Sequence, residues 1–350
     1  MAYTTIDDPS AHFQTLLYTG DGNDDRNLVN TGNSDLQPDF LWIKDRDNAR
    51  SHEIYDSSRG ATKRIQSDST GAESTQANNV QAFQSDGFQV GSGNGVNQAS
   101  QTLVAWQWKA NGGTTTTNSS GTNITSTVQA NTTAGFSIVT FTGTGNDGDS
   151  YGHGLNSAPE LVIPKKRSGT SNWQGYAFDG GNSQYFYLNL ENAFASTSGN
   201  SAASSSSVIT TDGSGDSNPN GGTVVSYCFH SVQGYSKIGR YKGNGNADGT
   251  MIYTGFKPAL FIVKSTSQSN QQWYIFDNKR DPINPVTRQL QPNLNDAENN
   301  VTGSPLDFLS NGIKIRNTDG HDNTNNGDYF YIAFAEHPFV SSEGVPTTAK

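Results

Sequence analysis

Apolar residues in this chain come in short solid runs rather than in alternation. "FLWI" at 40–43, "LVI" at 161–163 and "ALFIV" at 259–263 open just after Pro38, Pro159 and Pro258, and lead to Lys44, Lys165 and Lys264, each lysine six places after its proline. Proline cannot donate to a sheet ladder and is best tolerated at a strand's first position. The large and β-branched residues that follow predict strands covered on both faces and therefore central in their sheets. Each lysine is expected to mark the exit of its strand to solvent. Pro164 interrupts the middle copy, so that strand is expected to be shorter or to lie at an edge. Three aromatic runs, "LVAWQW" at 103–108, "VVSYCF" at 224–229 and "YFYIAF" at 329–334, also lack alternation and predict buried strands.

These runs belong to a longer repeated order. Ahead of each proline stands an aromatic and a Gly-x-Gly-Asn turn: "YTGDGN" at 18–23, "FTGTGN" at 141–146, "YKGNGN" at 241–246. Behind each lysine a short run closes on aspartate: "HEIYD" to Asp56, "GYAFD" to Asp179, "WYIFD" to Asp277. Trp173, Trp273 and, in the first copy, His52 begin those segments. "SDGFQV", "TDGSG" and "SNGIKI" then supply turns whose glycines favour tight hairpins. The aromatic run closes the unit. One ordered set, met three times, predicts three tandem units at 1–110, 135–232 and 233–340, with a tail at 341–350. Units of roughly 100 residues are long enough to hold a core each, unlike shorter solenoid repeats. Residues 111–134 are rich in Thr, Ser and Asn and predict a linker or extended arm. A single sheet cannot cover both of its own faces, so each unit is expected to be an antiparallel β-sandwich of jelly-roll or lectin-like kind. One short helix is expected around 70–83.

Composition supports an all-β chain. Only 32% of the residues are apolar and 15% charged, but there are 38 glycines and 14 tyrosines among 350 residues. Glycine supplies turns, and tyrosine buries a ring while keeping a polar tip. The net charge of −10 argues against the basic stripe of a nucleic-acid binder and against a polybasic membrane patch. Cys228 is the single cysteine, which excludes an intrachain disulfide and a thiolate zinc site, and its apolar surroundings read as a small buried hydrophobe. "MAYTTIDDPSAHF" carries neither a basic n-region nor an apolar h-region, so no signal peptide is expected, and no apolar run is long enough to span a bilayer.

Sites of chemistry are sparse. The six histidines show no metal spacing, no G-x-S-x-G elbow is present, and no helix is expected after Gly20-Asp21-Gly22-Asn23 to cradle a phosphate. Asp56, Asp179 and Asp277 could pair as glycosidase carboxylates, yet their threefold recurrence is more simply explained by turn capping. Asn244, Asn246, Asp248 and Gly249 imitate the start of a calcium loop, as Asp21, Asn23 and Asp25 do less well, but the glutamate twelve places in is missing. No cofactor is therefore expected, with calcium the one ion worth weighing. Trp173, Trp273, Tyr151 and Tyr253 are candidates for stacking on sugar rings, against the alternative that the tryptophans anchor a core.

In these features the chain resembles a family of virion structural proteins, tail-fibre-like, of marine tailed bacteriophages. The resemblance rests on Gln37 to Lys44, His52 to Gly60, Val104 to Ala110, and the two ends of the chain. The "DSSRG" element with Arg59 is expected to be confined to the first unit. The resemblance implies no enzymatic activity. It implies a location on the particle exterior, other virion proteins as partners, homo-oligomerisation, and contact with a host-surface glycan or protein. A capsid-decorating role and a glycan-cleaving tailspike are the alternatives.

Overall fold

The computed structural model describes residues 2–179, 183–197, 201–300 and 302–347. It is all-β, with antiparallel pairing throughout the named strands and, among the described residues, one short α-helical turn at Asn94–Asn97. No helix among the described residues is long and apolar enough to cross a membrane.

The large sheets of the three units share one strand order. In each, an opening strand (Phe13–Thr19, Phe136–Thr142, Ser236–Lys242) pairs with the closing aromatic strand (Thr102–Trp108, Thr223–Phe229, Asp328–Pro338). The closing strand pairs with the proline-led strand (Phe40–Asp45, Leu161–Lys166, Phe256–Ser265). That strand in turn pairs with the segment leading to the aspartate (Glu53–Asp56, Gln174–Ala177, Tyr274–Asp277). A three-stranded sheet in each unit faces its large sheet: Arg26–Leu28, Gly87–Val90 and Val80–Gln84 in the first, with counterparts in the others.

Side-chain alternation decides what each face of the large sheets touches. Leu41, Ile43, Leu103 and Ala105 pack with Leu28, Val80, Phe88 and Val90 in a core private to unit 1. Units 2 and 3 have cores of the same kind. Phe40, Trp42, Val104, Trp106 and Trp108 point the other way, into a core they share with Leu161, Ile163, Tyr227 and Phe229 of unit 2 and Ile262, Ile332 and Phe334 of unit 3. The solid apolar runs are thus explained. One face of the strand is covered by the unit's own small sheet, the other by the two neighbouring units, and the units hold a common core besides their own.

Several expectations need correction. Lys44, Lys165 and Lys264 do not reach solvent; alternation turns them inward and all three are 0% exposed. Leu161–Lys166 is as long as Phe40–Asp45 and equally central. Pro164 acts on one side alone: pairing towards Gln174–Ala177 stops at Val162, whereas the first unit pairs four residues there. Residues 70–83 hold strands, Ser74–Thr75 and Val80–Gln84, because Val80 and Phe83 pair with Val90 and Phe88 across the turn at Ser85 and Asp86. The 111–134 segment carries strands Thr116–Asn118 and Ser126–Asn131, the latter paired along the opening strand of unit 2. Ile124 and Val128 bury there, and the ladder satisfies the backbone.

The Gly-x-Gly-Asn turns have a structural purpose that spacing did not disclose. Each closes on a fully buried asparagine: Asn97, Asn218 and Asn323. Its Oδ1 accepts the N–H of Asp21, Thr144 or Asn244, and its Nδ2 donates to the carbonyl of Asn23, Asn146 or Asn246. A Cβ on Gly20, Gly143 or Gly243 would collide with the backbone carbonyl of the residue next to that asparagine. The second glycine, Gly22, Gly145 or Gly245, has φ of 73°, 77° or 63°, which other residues rarely adopt. Asn218→Ala would orphan a buried N–H and carbonyl. It is expected to destabilise the chain by about 2–3 kcal/mol, read as a lowered urea midpoint at unchanged slope.

Candidate functional site: the junctions between the units

The polar side chains that sequence reading singled out converge where one unit meets the next. The contacts run cyclically, from unit 1 to 2, 2 to 3, and 3 back to 1. Asp56 of unit 1 accepts the Tyr227 hydroxyl of unit 2 at 2.7 Å, Asp179 of unit 2 binds Arg240 of unit 3 at 2.7 and 3.1 Å, and Asp277 of unit 3 accepts Trp106 Nε1 of unit 1 at 3.1 Å. Tyr227 and Trp106 hold the same place on their closing strands, opposite Ile138 and Thr15 respectively. Asp56 and Asp277 also cap their own turns, taking the N–H of Arg59 at 2.9 Å and of Arg280 at 2.8 Å.

Each of those two aspartates pairs with the arginine three places on, Arg59 and Arg280, with both side chains of each pair inaccessible. The arginine element is therefore not confined to unit 1. "DNKR" at 277–280 repeats it, and the Asp-x-x-Arg spacing was legible beneath the changed neighbours. Burial works to lower the pKa of such a guanidinium, but the Asp56 carboxylate outweighs it and leaves that of Arg59 raised. Glu73 then bridges Arg59 at 3.0 Å and Arg167 of unit 2 at 2.8 Å, and Glu298 bridges Arg280 at 3.1 Å and Arg46 of unit 1 at 2.7 Å. The third junction keeps the backbone geometry and changes the chemistry. Glu73, Phe194 and Glu298 each donate their N–H to Arg167, Thr266 and Arg46 of the following unit. Phe194 has no carboxylate, and Arg240 lies over its ring and that of Phe330, 5.8 Å from each centroid.

The three lysines stand at the same junctions. Lys165 Nζ donates to the carbonyls of Ser171 at 2.6 Å and Thr70 of unit 1 at 3.1 Å. Lys264 reaches Ser265 at 3.2 Å and Glu191 of unit 2 at 3.4 Å, and Lys44 reaches Asp45 at 2.6 Å and Asn48 at 3.2 Å. Burial lowers all three from the usual lysine value to about 8.

Of the aromatic candidates for surface contact, three are buried. Trp173 Nε1 donates to Gln66 O of unit 1 at 2.9 Å and Trp273 Nε1 to Tyr187 O of unit 2 at 3.2 Å, so both indoles tie units together. Tyr151 is 1% exposed, stacked on Phe141 and bonded to Ser226. Their apolar flanks carry them inward. Tyr253 is 58% exposed, its hydroxyl 3.5 Å from that of Tyr3. His52 takes the tryptophan position in unit 1. Burial drives it well below its usual pKa, and its neutral Nδ1 accepts Trp42 Nε1 at 2.9 Å. In the calcium-like turn, Asn244 and Asn246 oxygens accept N–H groups of the turn itself, and Asp248 binds Lys314 at 2.8 Å. No group of three or more His, Cys, Asp or Glu among the described residues is arranged to hold a metal ion.

Fold and junctions define a class: an all-β chain of three homologous units closed on one another around a common core. The chain belongs to the family described as Domain of unknown function (DUF7483), whose model matches residues 8–338 and so runs through all three units. No curated protein and no solved structure matches the chain.

Two outcomes follow from the junctions. Arg280→Met leaves Asp277 buried without its cation and is expected to cost about 3–5 kcal/mol, read from urea unfolding. The lysines give a pH signature. Folded, they release protons from about pH 8, whereas unfolded lysines hold them to about 10.4, so between these values the unfolded state binds more protons. The urea midpoint should therefore rise from pH 8 towards about pH 9.5, before ionisation of unfolded tyrosines near pH 10 reverses it. Lys165→Met should flatten that rise.

Proposed function

We propose that the chain is a non-enzymatic structural protein of a tailed-bacteriophage virion, a tail fibre or related tail appendage that helps contact the host surface. One observation carries this reading: the aspartates and arginines that could do chemistry, with Lys165 and Lys264, are spent, junction after junction, on joining one unit to the next. Catalytic sites set unlike groups against each other in one cleft. Here the same groups recur around a ring. The tailspike alternative needs a pair of free carboxylates in a groove, and Asp56, Asp179 and Asp277 are each tied to a cation. The resemblance in sequence and the acidic surface charge support an exposed particle component. Tyr253 is the aromatic available for a host glycan, and several copies on one particle would add avidity to a weak contact.

A capsid-decorating role is the second reading. The ring of three homologous units favours it, because such a body suits a position of local threefold symmetry. Antibody labelling of intact virions separates the two. Signal at the tail, with purified protein blocking adsorption and Tyr253→Ala blocking it at least fivefold less well, is the expected outcome. Signal on the head assigns decoration, and absence from the particle removes both.

A further inference from the structure

Comparison of equivalent junctions exposes one difference in how they are filled. Between units 1 and 2, strand Ser126–Asn131 lies along the opening strand of unit 2, with Gln129 opposite Ile138. The Gln129 side chain is fully buried. Its Nε2 donates to Ser57 and Ser58 at 2.9 Å each, and its Oε1 accepts the N–H groups of Asn111 at 3.0 Å and Gly113 at 2.7 Å. A glutamine on an added strand thus plugs the gap beside the aspartate turn.

Between units 3 and 1 the same place holds a cavity of about 180 Å³. Thr15 stands where Ile138 stands, since both oppose the same position of their closing strands. Asn278 follows Asp277 as Ser57 follows Asp56, and Ala259 matches Asp39; all three, with Glu336 and His337, line the cavity. Phe13–Thr19 is the edge of its sheet there. Thr15 is 7% exposed, and its Oγ1 has no hydrogen-bond partner; neither has the buried Oδ1 of Asn278. Unpartnered buried polar atoms are costly and uncommon in folded proteins. Between units 2 and 3 the chain passes directly from one unit to the next, and Ser231 Oγ takes the N–H of Ile238, the residue equivalent to Thr15, at 3.0 Å.

We propose that the cavity between units 3 and 1 is a docking slot for one β-strand donated by another polypeptide, laid along Phe13–Thr19 with an amide side chain inside. The filled slot in the neighbouring junction supplies the template: an extended segment rich in Ser, Thr and Asn, with glutamine as its plug. Backbone pairing along the sheet edge gives affinity, and the plug gives specificity. The amide N–H₂ of the plug meets Asn278 Oδ1, and its carbonyl accepts the Thr15 hydroxyl. An aliphatic plug leaves both atoms as they are, so the slot discriminates against it.

The test uses the full chain and a dye-labelled peptide copying residues 122–133, followed by fluorescence anisotropy. Saturable binding is expected. It should weaken at least tenfold for Thr15→Ile, which installs the side chain of the filled junction, and at least tenfold for the peptide carrying Gln129→Ala. Asn278→Ala serves as the second protein variant and should weaken binding in the same direction. Failure of the intact protein to saturate overturns the proposal, as does equal binding by all variants at unchanged thermal midpoints. Complete competition by a monosaccharide would make the cavity a small-ligand site instead. Concentration-dependent self-association abolished by Thr15→Ile would assign the slot to a second copy of the chain. Either result rejects a strand donated by a different polypeptide.

Discussion

The inner faces of the three large sheets are covered chiefly by one another. Phe40 and Trp42, Leu161 and Ile163, Leu260 and Ile262 sit on strands whose other face already packs against a small sheet of the same unit. Burying a side chain of this size contributes about 1.5–3 kcal/mol, so a unit standing alone would expose an apolar face too large for a soluble domain. Closure into a ring of three satisfies every inner face at once. What remains at the centre is a void of about 30 Å³ lined by aromatic and aliphatic side chains, close to full packing.

Closure has a polar consequence. Strand alternation directs Lys44, Lys165 and Lys264 inward together with the aromatic residues, where water cannot reach them. They persist because loop carbonyls accept their hydrogen bonds, for Lys165 and Lys264 from the preceding unit as well as their own. The Asp–Arg–Glu–Arg sets follow the same logic: each buried charge is matched by an opposite one, and the final pair, Glu73–Arg167 or Glu298–Arg46, crosses the boundary. Such groups need not add stability over an apolar equivalent; they make each unit accept one neighbour in one orientation. The repeats have diverged where a substitution could be absorbed locally. Phe194 replaces a glutamate and lies against Arg240, which keeps its ion pair with Asp179, and His52 replaces a tryptophan and accepts a hydrogen bond from Trp42.

Much of the fold was legible in the sequence. The repeated order of turn, proline, lysine, aspartate and aromatic run pointed to the central strands, because solid apolar runs follow directly from coverage on both faces. The source of the second cover was not legible. A run such as "FLWI" reads alike whether its far face meets a sheet of its own unit or another unit, so two-layer sandwiches were the simpler inference. The lysines were misplaced for the same reason, since only a covered inner face makes the residue after Ile43 internal. The buried asparagines carry no local signature: Asn97, Asn218 and Asn323 sit in unlike contexts, and their role depends on a turn 72–77 residues away. The aspartates were correctly read as turn caps at Asp56 and Asp277, but their second bonds, across units, lie beyond any spacing rule.

Scanning calorimetry addresses the ring most directly. If the shared inner faces hold the three units together, the chain should unfold in one transition whose calorimetric and van't Hoff enthalpies agree, with no unit melting ahead of the others. Separate transitions, or a calorimetric enthalpy about three times the van't Hoff value, would mean that each unit is stable by itself and would contradict the account.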